Sequence, residues 1–294
     1  NKNQVTMGKS PIIIIGMHRS GTTMLAKILE AMGVYQGSFK DENNESIYFM
    51  NINKWILSLA GASWDNPVHL KRLENHPQHR EIVKDRIQFF LNSFLRYRYF
   101  GKKSILSLPS FFNTNMNWGW KDPRNTFTLP YWLDIFPDAK ILYISRHGVD
   151  VANSLVTREN KIFSDNLHQN FRNLNKLASL HLPIIRGSML ASGHCSKLSD
   201  AFNLWETYMK QGDELINKMG SQILNLKYES VLDEPLYEIT KLEEFLELKI
   251  PENQRDKIVF GINKPRLFAY KNDSELLNFS KSVKNALNQF GYNH

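Results

Sequence analysis

The sequence predicts an α/β fold with strands buried on both faces, and three observations carry that expectation. Ile12–Ile15 is an unbroken β-branched run, the pattern of a strand covered on both sides, and it leads through a glycine-bracketed polar loop into a helical pattern. Ile141–Ile144 repeats the arrangement, closing in Ser145 and Arg146 before a helix from about Val149. Between them, Trp118–Arg124 (WGWKDPR) reads as a short strand entering a turn, because Pro123 forces extended geometry on the residue before it.

The totals agree with a globular enzyme-sized chain. With 294 residues, 42% hydrophobic and 22% charged, it can bury a sizeable core in one large domain or two small ones. The net charge of +8 comes from scattered basic residues, which suits an anionic small molecule better than a nucleic acid or a membrane surface. Cys195 is the only cysteine, so no intrachain disulfide forms. That fits a reducing compartment and a cytoplasmic location, although a Golgi enzyme cut from its anchor would begin in the same way. No run approaches the roughly 20 apolar residues of a membrane span, and no His/Cys/Asp/Glu set has metal-ligand spacing.

The first strand–loop–helix unit is the strongest chemical signal. Gly16 ends the strand. His18, Arg19, Ser20, Gly21, Thr22 and Thr23 follow, and then Met24, Leu25, Ile28, Leu29 and Met32 share one helical face, with Gly33 as the stop. This order aims backbone N–H groups and the positive end of a helix dipole into one small space, which makes an anion site. A nucleotide P-loop has Lys after its second glycine. Here that position is Thr22, and the fixed cation is Arg19, inside the loop. A P-loop kinase or other NTPase is therefore disfavoured. A nucleotide-binding protein without catalysis remains as a second alternative.

The remaining elements follow in order. Asp41, Glu42 and Glu45 precede a helical pattern through Ile47, Trp55, Ile56 and Leu59, with Asn44 or Ser46 as its cap. Carboxylates at that place also simply favour a helix N-terminus. Residues 62–79 read as a loop, and Arg80–Tyr99 as a helix with Ile82, Ile87, Phe90, Leu91 and Phe94 apolar. Lys121 and Asp122 end their strand where ligands bind in a parallel sheet. A helix spans Thr126–Phe136. Arg146, Ser154 and Arg158 are spaced by eight and four. Ser154 and Arg158 then share a helical face, and two guanidiniums with a hydroxyl suit a phosphate. Residues 159–197 read as a partly helical insertion on the acceptor side. Ala201–Met219 is a helix with Phe202, Trp205, Tyr208, Met209 and Leu215 inward, and Ile223–Lys227 a short strand before Tyr228. Asp233 caps and Pro235 opens the next helix, and Lys264, Pro265 and Arg266 lie in a loop beyond it.

HRSGTT resembles the 5′-phosphosulfate loop of sulfotransferases that use 3′-phosphoadenosine 5′-phosphosulfate (PAPS), with His18 where Pro is common. The arginine variant looks like the branch of tyrosylprotein, carbohydrate and many bacterial sulfotransferases. The resemblance implies one three-layer P-loop-type α/β sandwich over residues 1–294, with a mostly parallel sheet. It implies PAPS as donor, no metal, and a hydroxyl or amine acceptor on a carbohydrate, small molecule or peptide. Residue by residue, it implies that Arg19 and Lys121 serve the sulfuryl group. Arg146, Ser154 and Arg158 match the 3′-phosphate motif. Tyr228, in a segment like the family's Tyr-Glu-Asp, lies near the adenosine. Related bacterial enzymes carry a Glu about eight residues before an Asn-x-x-(Ile/Leu)-Leu segment. Asn53–Leu57 fits that segment, which favours Glu45 over Glu42 as catalytic base.

Overall fold

A computed structural model of the chain describes residues 8–102, 109–169, 192–262 and 267–292, the side chains of 163–169 excepted. Four strands, β1 (Ile12–Gly16), β2 (Gly119–Lys121), β3 (Lys140–Ser145) and β4 (Ile223–Lys227), form a sheet of order β2-β1-β3-β4. Every pairing is parallel. The helices that position the site are α1 (Thr22–Ala31), α2 (Ile47–Leu59), α3 (Leu70–Glu74), α4 (Pro77–Asn92), α5 (Tyr97–Phe100) and α6 (Asn125–Leu133). They are followed by α7 (Gly148–Gln169), α8 (Leu198–Met219), α9 (Tyr228–Asp233), α10 (Pro235–Leu246) and α11 (Glu252–Gly261).

The chain divides into two units. The first, Asn1–Arg146 with Thr207–Leu267, holds the whole sheet. Alternation along the strands sorts its core. Ile12, Ile14, Leu142 and Ile144 pack with Leu25, Ile28 and Leu29 of α1 and with Leu232, Ile239 and Leu242 of the later helices. On the other side, Tyr143 donates its hydroxyl to Met209 Sδ of α8, and α6 lies along β1. Helices thus cover both faces, which explains why the strands read as continuous apolar runs. The second unit, His147–Glu206 with Phe268–His294, is built round aromatic contacts. His147 stacks on Tyr270 with ring centroids 4.2 Å apart, and Trp205 meets Phe202 and Phe290.

Several expectations need correction. The helix expected over Arg80–Tyr99 starts earlier, with Pro77 at its first turn, and breaks at Ser93, whose ψ of 162° is extended. Its buried positions are Val83, Ile87 and Leu91, whereas Ile82 and Phe94 are 62% and 70% exposed. Apolar identity alone did not give the phase of that helix. Ser46 occupies the N-cap of α2 without a capping side-chain hydrogen bond. Asp233 closes α9, and the N-cap before Pro235 is Glu234. The stretch read as a loop over 62–79 contains α3; the insertion is helical as far as Gln169, the end of α7, in keeping with its partly helical reading. Residues 170–191 of that insertion, and Lys264, Pro265 and Arg266, lie outside the described residues. Among the described residues, no helix is long and apolar enough to cross a membrane, and no cluster of three His, Cys, Asp or Glu could hold a metal.

Candidate active site

The loop after β1 is shaped by backbone conformations that few residues tolerate. Arg19 has φ 70° and Gly21 φ 100°, both left-handed. A Cβ on Gly16 would lie 2.3 Å from the Ile144 carbonyl, and one on Gly21 2.4 Å from the Tyr228 ring. Both positions therefore require glycine for close approach as well as for φ. Thr126 Oγ1 accepts from Gly16 N at 2.9 Å and donates to Gly16 O at 3.1 Å, so α6 fixes the strand end. Ser20 Oγ lies 2.7 Å from the Met17 carbonyl and 3.1 Å from that of Ile144. Its hydroxyl thus braces the loop, and Ser20 is buried, as are Thr22 and His18. His18 meets Trp64 edge to face at 4.8 Å. Thr23 donates to Asn43 O at 3.0 Å, tying α1 to the segment that carries Glu45.

Gly21 is the N-cap of α1 and supplies no side chain to its first-turn N–H groups. Those donors have no intrahelical acceptor. With the left-handed Arg19 before them, they form the concave donor array that suits an anion. Arg146, at the end of β3, stacks its guanidinium over the Tyr228 ring at 4.6 Å and donates to the Arg19 carbonyl at 3.5 Å. A cleft of about 1090 Å³ runs from the first turn of α1 past Tyr228 to α11, lined by Thr23, Met24, Lys27, Tyr228, Lys257 and Ile258. Ser154 and Arg158 stand on α7, in the second unit, one helical turn apart.

Beside the loop lies a buried ionic network. Lys121 pairs in register with Ile14 of β1, which brings the end of β2 level with the loop. Lys121 Nζ donates to Glu45 Oε1 at 3.2 Å, and Arg124 Nη1 donates to Glu45 Oε2 at 3.0 Å. Arg124 also donates to Asp122 Oδ1 at 2.9 Å, and Asn53 Nδ2 donates to Asp122 Oδ2 at 2.8 Å. Asn53 in turn accepts from Thr128 and Trp132, both at 2.8 Å. Glu45 and Lys121 are each 1% exposed. Glu42, the other carboxylate considered, is exposed.

Burial pushes the Glu45 carboxyl above its ordinary value, against the opposing pull of Lys121 and Arg124. Lys54 is pushed down, first by burial and then by Arg124. Asp41 sets the approach to Glu45 by accepting from the Asn43 and Glu45 N–H groups at 3.0 and 2.8 Å.

Sequence reasoning singled out Glu45 and Lys121 but assigned nothing to Arg124. Its neighbour Asp122 was noted only for its place, and Asn53 only as part of a spacing. The signal was present: a charged pair flanking Pro123, just after a short segment with two tryptophans, predicts charges that need partners in a buried setting.

The model for the sulfotransferase family matches residues 11–252. No curated protein matches the chain. Among solved structures, it is similar to the sulfotransferase domain of the Synechococcus PCC 7002 olefin synthase, with 16% identity over 100% of this chain and 98% of that one, TM-score 0.50. It is also similar to mouse sulfotransferase SULT7A1 complexed with PAP, with 10% identity over 99% and 88%, TM-score 0.49. A third is the sulfotransferase from Alicyclobacillus acidocaldarius, with 14% identity over 98% and 97%, TM-score 0.47. The first of these likenesses speaks for the fold, and the family match over most of the sequence settles kinship. The left-handed anion loop at the head of a parallel sheet, beside a buried Lys and Glu, thus belongs to a member of the sulfotransferase family.

Proposed function

We propose that the chain transfers a sulfuryl group from PAPS to a hydroxyl or amine of a carbohydrate, small molecule or peptide. One observation carries this reading. Glu45 and Lys121, 76 residues apart in the chain, meet in a buried ion pair at the carboxyl end of β2, alongside the strand that feeds the anion loop. A proton acceptor and a fixed cation are both needed where an anionic group is transferred to a protic acceptor.

The residues present fit the donor. The loop between Gly16 and Gly21 leads into the first turn of α1, whose N–H groups have no side-chain cap, and Met24, Ile28 and Ile258 give the adjoining cleft an apolar floor for a nucleoside. Bound PAPS supplies a sulfuryl group activated by its anhydride bond to phosphate. Arg19, Lys121 and the N–H groups of the loop and first turn of α1 offset the negative charge on the sulfuryl and bridging oxygens. Glu45 would take the proton of the acceptor as the acceptor bonds to sulfur and the bond from sulfur to the bridging oxygen breaks, adenosine 3′,5′-bisphosphate carrying off that electron pair. By the motif resemblance, Arg146, Ser154 and Arg158 are assigned to the 3′-phosphate and Tyr228 to the adenosine. Lys121 has two tasks: it neutralises Glu45 in the resting protein and faces the sulfuryl group in the loaded one.

Labelled PAPS offered with sugars, phenols, alcohols and peptides tests the reading directly. Transfer to at least one class, without added metal, is the expected result. Turnover of ATP with Mg²⁺ and no sulfuryl transfer would instead mark a kinase or NTPase. Tight nucleotide binding with no transfer to any class would mark a binder.

The 3′-phosphate motif has its own test. Adenosine 3′,5′-bisphosphate is expected to bind at least tenfold more tightly than AMP, since each charge-assisted hydrogen bond contributes about 1.5–3 kcal/mol. Arg146→Ala should remove most of that preference. Equal affinities for the two nucleotides, measured by calorimetry on the unaltered protein, would refute the assignment.

A further inference from the structure

We infer that Glu159 is a positioning residue for the 3′-phosphate site and acts through Arg158; the inference rests on the donor reading above. Arg158 is 16% exposed and Glu159 fully buried. The guanidinium donates to Glu159 Oε1 through Nε at 3.1 Å and also through Nη2. The second carboxylate oxygen accepts from the backbone N–H of Ser192. All three residues belong to the second unit.

This pair is unusual for a helix. Residues i and i+1 point about 100° apart and do not ordinarily face each other. Arg158 makes this contact from α7, the helix that carries Ser154 one turn earlier on the same face. A buried carboxylate requires such partners, because leaving it without them is costly. Glu159 meets that requirement with one side chain and one main-chain donor. In doing so it holds the Nε and Nη2 edge of the planar guanidinium.

The negative charge of Glu159 and its geometric hold act in opposite directions on an anion at Arg158. If charge dominated, removing the carboxylate would tighten anion binding. If orientation dominates, as the two-atom contact indicates, removing it loosens binding. Outer-shell partners that orient metal ligands contribute about tenfold or more to affinity, and a similar loss is expected here.

The test uses the full chain and calorimetric binding of adenosine 3′,5′-bisphosphate and AMP. Glu159→Gln should weaken the bisphosphate about tenfold and leave AMP unchanged, because AMP lacks the group that Arg158 serves. Arg158→Ala should have at least the same effect, and Glu159→Gln added to Arg158→Ala should cost nothing more. Tighter bisphosphate binding in Glu159→Gln, equal losses for both nucleotides, or additive losses in the double variant would each overturn the role. If Glu159→Gln does not fold, Glu159→Asp decides. It keeps the charge but shortens the reach, and an unchanged preference for the bisphosphate would refute the proposal. If the unaltered protein shows no preference for the 3′-phosphate, the donor reading itself fails, and the role of Glu159 falls with it.

Discussion

With Glu45 as the proposed general base, Glu45→Gln should lower the single-turnover rate of sulfuryl transfer by about a hundredfold or more, the usual contribution of such a base, without weakening donor binding. Gln is nearly isosteric but cannot take the acceptor proton. It also removes a negative charge beside Lys121, so affinity for an anionic donor should be equal or higher. The loss should shrink as the acceptor becomes more acidic: largest for sugar or alcohol hydroxyls, smallest for activated phenols. The pH profile adds a second readout. The base proposed at Glu45 would work ionised, so on that reading the rate should rise with pH as Glu45 loses its proton. Burial holds that carboxyl above its ordinary 4.5, so the rising limb lies above the range of an exposed carboxylate and is absent in Glu45→Gln. Stability moves the other way. The folded chain binds this proton more tightly than the unfolded chain. The contribution to folding is therefore full below pH 4.5 and is withdrawn as pH rises through the folded value. A normal rate and an unaltered limb in Glu45→Gln would return the base to Glu42, His18 or a group on the acceptor.

Arg124→Leu should have the largest effect on stability. It leaves Glu45 with only one of its two cations and Asp122 without its guanidinium, all inside the first unit. Breaking a buried ion pair from one side costs about 3–5 kcal/mol, which for a chain of this size corresponds to a fall in Tm of roughly 10 °C. Asp122→Asn should cost much less, because an amide oxygen still accepts from Arg124 or Asn53. Calorimetric unfolding of both variants checks the ordering. Equal shifts, or a shift within a degree or two for Arg124→Leu, would mean that the network contributes little to the fold.

Much of this was legible in the chain because it depends on local chemistry. The β-branched runs at Ile12 and Ile141 required burial on both faces, and both became central strands. Ile223–Lys227 became β4 with the same bounds, since a short alternating run between Gly220 and a helical pattern admits little else. Helix α8 kept the inward set Phe202, Trp205, Tyr208, Met209 and Leu215. The failures have a common cause. The phase of α4 depends on which neighbours it meets, and Val83 rather than Ile82 turned inward. The caps at Ser46 and Glu234 are set by where the backbone turns rather than by the best capping side chain. In the candidate site, Lys121 and Glu45 are singled out by the family resemblance, but the fan of bonds around Arg124, Asp122 and Asn53 joins segments remote in sequence. No local pattern encodes such contacts.

The order of the sheet has a consequence for how the chain acquires its chemistry. β1 comes first in sequence yet sits in the middle of the sheet, between strands that are made much later. The anion loop is held by Thr126, 110 residues on from Gly16, and by the Ile144 carbonyl, 124 residues on from Ser20. Contacts of such long range form only after large loops have closed, which slows folding. The hexapeptide Gly16–Gly21 therefore lacks this shape as a free peptide and in a chain synthesised only as far as residue 100. Its shape is conferred from outside, late, by strands that do not yet exist when it is synthesised. Recovery of nucleotide binding during refolding should thus trail the appearance of helix, and a fragment ending before β3 should carry the whole loop and bind nothing.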